Sequence, residues 1–107
     1  MADFISIYVT AGSSAEAHEI ARRLVEEKSA ACVNIFPNIE TVYRWKDKVE
    51  SSSEVVMIVK TRAALFGAVE STVKKINRYE NPCIVVLPII AGSDTYTQWL
   101  LDATKSG

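Results

Sequence analysis

The side chains that do metal and proton chemistry near neutral pH are few in this chain: one histidine, His18, and two cysteines, Cys32 and Cys83, among 107 residues. The cysteines stand far apart in sequence and no CxxC occurs. Four-cysteine zinc sites, thioredoxin-type redox chemistry and a disulfide framework are therefore excluded. Cys32 falls within or beside a strand core, where a small buried thiol is ordinary, and as a metal ligand it would need partners from elsewhere in the fold. His18 sits at the edge of a helix's polar face and reads as a surface side chain, and Cys83 follows Pro82 at a strand start. Lys60-Thr61 lies where a strand gives way to a helix, so an ammonium, a hydroxyl and helix amides could together meet an anion. Tyr79-Glu80 lies in a loop, where side chains are not needed for the core and are free to meet a ligand. Glu80 could act as an acid or base with Tyr79, but no second titratable partner can be placed beside it, so no catalytic residue is assigned.

The elements that must position these groups follow from hydrophobic periodicity. Phe4 to Thr10 is β-branched and aromatic and reads as an interior strand. Ser13-Ser14-Ala15-Glu16 offers a capping box, and Ala17, Ile20, Ala21 and Leu24 follow at helical spacing, which predicts a helix from about Ser14 to Lys28. Strand character resumes at Ala31 to Ile35 and is interrupted by Pro37-Asn38, as at an edge or bulge. Beyond the break, Ile39, Thr41, Tyr43 and Trp45 share one face, and a turn at Lys46-Asp47-Lys48 leads into a third strand, Val49 to Lys60. Thr61 is the expected cap of a second helix carrying Leu65, Phe66, Val69, Val73 and Ile76. A loop at Arg78 to Pro82, a buried strand Cys83 to Ile90 and a short helix capped by Ser93 or Asp94, with Tyr96, Trp99, Leu100 and Ala103 in one stripe, complete the chain. The order is β-α-β-β-α-β-α, an α+β, ferredoxin-like βαββαβ arrangement with an added C-terminal helix, read as one domain over residues 1–107.

The hairpin is too long for such a domain. Ala31 to Lys46, fully extended at ~3.3 Å per residue, would reach about 50 Å, against a radius of gyration of ~13 Å for a compact chain of this length. Its tip, with Tyr43 and Trp45, should project past its own sheet and engage a neighbouring subunit of a cyclic homo-oligomer.

Composition narrows the function classes further. With 12 basic and 13 acidic residues, a net charge of -1, 49% apolar residues and only 4 Gly and 3 Pro, the chain is neither a disordered tail nor a basic nucleic-acid arm. The 22 Val and Ile against 5 Leu favour substantial sheet. No apolar run approaches the ~20 residues of a membrane span, and Met1-Ala2-Asp3 lacks a secretory signal's positive region, so a soluble, cytoplasmic protein without nucleic-acid or membrane partners is expected. Strand three, Glu54 to Val59, lacks the stacking aromatics of an RNA-recognition motif. The loop Thr10 to Ser14 lacks the arginine that acyl-phosphate hydrolysis requires, and P-loop and dinucleotide glycine fingerprints are absent.

Val9-Thr10, Ala30 to Ile35, Tyr43-Arg44-Trp45-Lys46-Asp47-Lys48, Lys60-Thr61, Tyr79-Glu80, Leu87-Pro88-Ile89 and Tyr96-Thr97-Gln98-Trp99, in that order, resemble the CutA divalent-cation tolerance proteins. The resemblance implies a tight homotrimer similar to the trimeric PII signalling proteins, without an established enzymatic reaction and associated with tolerance to copper and other divalent cations. By it, Tyr43, Trp45 and Trp99 would lie at the trimer interface, and an inter-subunit cleft would draw on Thr10, Lys60, Thr61, Tyr79 and Glu80. Cys32 would be the metal ligand, with copper or another divalent cation bound weakly. A PII-like sensor taking a small anionic metabolite or nucleotide in that cleft is the alternative. The chain departs from the family pattern at three places: Asn77 stands where members usually carry the histidine proposed to bind copper, Val9 where some bacterial members carry a cysteine, and Asp47 at the glycine of the hairpin turn.

Overall fold

The structure, a computed structural model, describes residues 3–106. Met1 and Ala2, on which the expectation of no secretory leader partly rests, lie outside the described residues, as does Gly107. The elements run β1 (Phe4–Ala11), α1 (Ser14–Glu26), β2 (Cys32–Trp45), β3 (Lys48–Arg62), α2 (Phe66–Ile76), β4 (Ile84–Pro88) and α3 (Asp94–Asp102), with a 3-10 turn at Ala63–Leu65 before α2. The four strands form one antiparallel sheet in the order β2-β3-β1-β4, the ferredoxin-like topology expected from the element order.

One face of the sheet carries the core. Ile5, Ile7 and Val9 of β1 and Val55, Met57 and Val59 of β3 alternate onto that face and meet Ala17, Ile20 and Leu24 of α1 and Val69 and Val73 of α2. Ser13 caps α1 as its spacing predicts, the hydroxyl accepting from the Glu16 amide at 3.2 Å, and the chain leaves the helix through Lys28 at φ 60. The opposite face of the sheet is covered only at one end. There α3 buries Leu100, and Arg62 Nε donates to Thr104 Oγ1 at 3.0 Å. Elsewhere on that face Phe36, Val85 and Leu87 are about half exposed.

Two expected elements differ. Thr61 does not cap α2: β3 continues through Arg62, which pairs with Phe4, and the Thr61 side chain points into the core, where its hydroxyl donates to the Ser29 carbonyl at 2.6 Å. β4 is neither buried nor as long as expected, because β1 pairs with it only from Ile84 to Pro88 and it forms the sheet's outer edge.

The hairpin overhangs as its length requires. β1 reaches β3 only as far as Val55, so beyond Glu54 the β2–β3 ribbon has no third strand, and the molecule measures 44 × 25 × 22 Å with a radius of gyration of 14.3 Å. The Pro37-Asn38 interruption is a bulge between Phe36 and Ile39, with Asn38 at φ 61. At the tip, Lys46 (φ 51) and Asp47 (φ 66) join paired Trp45 and Lys48, a two-residue turn of the left-handed kind that matches strand twist. Asp accepts this backbone where glycine is usual.

Candidate functional site

Where the hairpin leaves the body of the fold, it forms one wall of a cleft of about 700 Å³. Thr41, Tyr43 and Trp45 line that wall from β2 with Glu54 from β3, which confirms the shared face expected of the β2 residues. The other wall is the end of β1, at Thr10 and Gly12, and the loop Arg78 to Asn81 with Cys83. The volume lies within the ~300–1,000 Å³ of small-molecule sites.

The loop wall is held by backbone bonds to buried side chains. Asn77 is buried; its Nδ2 donates to the Thr10 carbonyl at 3.0 Å and its Oδ1 accepts from the Tyr79 amide at 2.9 Å. Glu16, buried in the first turn of α1, accepts from the Arg78 amide at 3.1 Å, with its other carboxylate oxygen 4.0 Å from Arg78 Nε. These bonds lay the Tyr79 ring along Gly12, whose missing Cβ would sit 3.5 Å from the ring. Burial pushes the Tyr79 phenol well above the ordinary tyrosine range, and the Glu54 carboxylate within its reach adds to the shift. Burial, with Glu54 again adding, also pushes the Cys83 thiol up. Of the charged side chains lining the cleft, Glu54 and Glu80 are carboxylates, and the guanidinium of Arg78 is largely in solvent.

Of the five cleft residues expected from the sequence, Thr10, Tyr79 and Glu80 come together here. Lys60 and Thr61 do not. Thr61 is fully buried on the core face, with its hydroxyl already committed to Ser29, so it cannot serve a ligand. Lys60 points to the other face, its Nζ 5.7 Å from the centre of the Tyr96 ring. Cys32, paired with Lys60 across the strands, lies beside the same tyrosine, with Sγ 3.7 Å from the Tyr96 hydroxyl. Burial and this contact raise the Tyr96 phenol. Trp99 packs on Tyr96 with ring centres 5.4 Å apart. This second cluster lies at the Cys32 end of β2, the far end of the strand from Trp45, so Trp99 does not cover the tip aromatics.

Sequence reasoning gave Glu54 and Gly12 no part in a ligand site, treated Cys83 only as a thiol at a strand start, and marked Asn77 only as the replacement of the family histidine, not as the side chain that holds the loop. The available signal was Glu54 itself, a carboxylate standing directly before the apolar run 55–59 within β3 and paired with Ile39. Among the described residues, no three His, Cys, Asp or Glu side chains converge as metal ligands within one chain. No described helix is long and apolar enough to cross a membrane.

Comparison with known proteins agrees with this architecture. The family described as CutA1 divalent ion tolerance protein matches residues 5–103. The divalent-cation tolerance protein CutA of Archaeoglobus fulgidus is 47% identical over 94 residues, covering 88% of this chain and 91% of that protein. The human protein CutA is 40% identical over 99 residues and the chloroplastic CutA of Arabidopsis thaliana 42% over 102. Those matches cover 92% and 95% of this chain but only 55% and 56% of those longer proteins. Among solved structures, CutA1 of Shewanella sp. SIB1 superposes with a TM-score of 0.95 at 35% identity, covering 98% of each chain. The A. fulgidus protein, described as periplasmic, gives 0.92 at 43% identity, covering 95% of this chain and 99% of that one. With fold, hairpin and sequence in agreement along nearly its whole length, the chain belongs to the CutA1 divalent ion tolerance protein family.

Proposed function

We propose that this protein is a non-enzymatic homotrimer that takes part in the response to divalent cations, copper among them, and that its cleft lies at the border between subunits. The observation that carries the reading is the bare hairpin tip. Tyr43 and Trp45 are each more than a third exposed on a two-stranded ribbon without a third strand, an arrangement marginal in water unless something covers it. The half-exposed Phe36, Val85 and Leu87 on the uncovered sheet face, and Trp99 beyond them, add apolar surface for the same contact. Of the two partly exposed thiols, Cys83 stands in the cleft beside Glu54 with its proton held more tightly, whereas Cys32 lies on the other end of β2 beside Lys60, so in this reading copper, as Cu(I), is held by Cys32 thiolates contributed by the three subunits. Two unpaired thiols suit the reducing cytoplasm. The alternative, a small anion or nucleotide at Lys60-Thr61, is disfavoured because Thr61 is spent on Ser29 and the cleft itself carries two carboxylates.

Native mass spectrometry of the parent, Cys32→Ser and Trp45→Arg, with and without copper, tests this. A trimer that takes up copper, loses that uptake in Cys32→Ser and dissociates in Trp45→Arg is the expected result. A monomeric parent, or copper stoichiometry unchanged in Cys32→Ser, would overturn it.

A further inference from the structure

We infer that the cleft between the hairpin and the Arg78–Asn81 loop binds a small organic ammonium, a primary amine on an apolar or aromatic body. This goes beyond the proposed metal response, which draws on Cys32 outside the cleft, and gives the cleft a ligand chemistry of its own.

Three observations select that class. The walls present three aromatic side chains, Tyr43, Trp45 and Tyr79, from two separate segments across a space large enough for a small molecule. Such rings accept an apolar body edge-on or stacked and attract a cation at their faces. The tip already shows this attraction, since Lys46 Nζ lies 5.7 Å from the centre of the Trp45 ring. Second, the charged lining is acidic: Glu54 and Glu80 are set against Arg78, whose side chain is 88% exposed and leans toward Glu16. An anionic metabolite would meet these two carboxylates, whereas an ammonium with three donors finds acceptors in them and in the hydroxyls of Thr10 and Tyr79. Third, a bare inorganic cation is poorly served, because among the described residues no three ligating side chains converge. A ligand whose affinity comes partly from ring contacts does not need such convergence.

The site is also held ready. Asn77 and Glu16 fix the loop through bonds to the Thr10 carbonyl and the Tyr79 and Arg78 amides, so Tyr79 is placed on Gly12 before any ligand arrives. Preorganisation of this kind reduces the ordering cost of binding.

Isothermal calorimetry with phenethylamine, its neutral counterpart phenethyl alcohol, phenylacetate and magnesium chloride tests the assignment on the full chain, with native mass spectrometry of the same preparation recording its oligomeric state. Phenethylamine should bind at least about tenfold more tightly than the alcohol, and phenylacetate and magnesium should give no saturable heat. Glu54→Gln and Glu80→Gln should each weaken the amine about tenfold while leaving the alcohol unchanged, with thermal melts confirming that both variants fold. Equal affinity for amine and alcohol, a preference for phenylacetate, or saturable magnesium binding would overturn the inference. So would absence of amine binding in a preparation that is trimeric, which would mean that a neighbouring subunit fills the cleft. A monomeric preparation that binds the amine would instead count against the trimer and leave this inference standing.

Discussion

The two ends of the β2–β3 ribbon obey different physics. At its root, Val33, Val59 and Met57 lie under α1 and α2, and α3 covers part of the other face near Lys60. At its tip, Val42 and Val49 are about 70% exposed and pair only with each other's strand. The root is completed by its own chain, whereas the tip is left uncovered by it, which is why a neighbouring subunit is proposed there. Stability therefore resides at the root, and the proposed recognition at the tip.

The largest effect should come from emptying the root. Leu24 is fully buried in the core, and Leu24→Ala should cost about 2–5 kcal/mol, read from denaturant unfolding. Val42→Ala at the tip should change stability by less than about 0.5 kcal/mol. A comparable loss at both positions would erase the distinction between the ends. Next comes the joint between them. Asn77→Ala removes two hydrogen bonds and strands the Thr10 carbonyl, at a cost of about 1–3 kcal/mol in the same measurement. It should also broaden the Tyr79 ring signals in NMR, and unchanged signals would show that the loop is held by other means. Asp47→Gly should stabilise by less than about 1 kcal/mol by relieving the left-handed backbone at φ 66; a destabilising outcome would show that the Asp47 side chain supports the turn.

The smallest effect is a titration. Because the Tyr79 phenol is raised in the folded chain, its contribution to stability is complete below the unfolded value of about 10 and is lost as the pH climbs above it. Ultraviolet titration should show two of the four tyrosines, Tyr79 and Tyr96, ionising late, and Glu54→Gln should move Tyr79 alone back toward the others. If both late tyrosines ignore Glu54→Gln, burial alone sets Tyr79.

The legible parts of the molecule were those encoded within a few residues. Ser13 and Glu16 marked the start of α1, alternation from Ile39 to Trp45 marked the cleft face of β2, and Pro37-Asn38 marked the bulge. What could not be read depended on distant partners. Thr61 looked like a cap because a helix follows it, yet its hydroxyl bonds to a carbonyl 32 residues earlier. β4 is short because β1 sets its length. The cleft's second wall rests on an Asn77 bond to a carbonyl 67 residues away, which no local pattern announces, so Glu54 and Gly12 gained a role only once that loop was closed.

The bulge at Pro37-Asn38 has a consequence for how the protein avoids its own kind. β2 is an outer strand of the sheet, and a long flat free edge invites unlimited strand addition and fibre growth. Pro37 supplies no amide hydrogen, and the break between Phe36 and Ile39 turns that edge into two short segments out of step with each other. An incoming strand can match one segment but not both. The edge therefore resists continuous strand addition, which is compatible with the closed ring proposed above and unfavourable to an endless sheet.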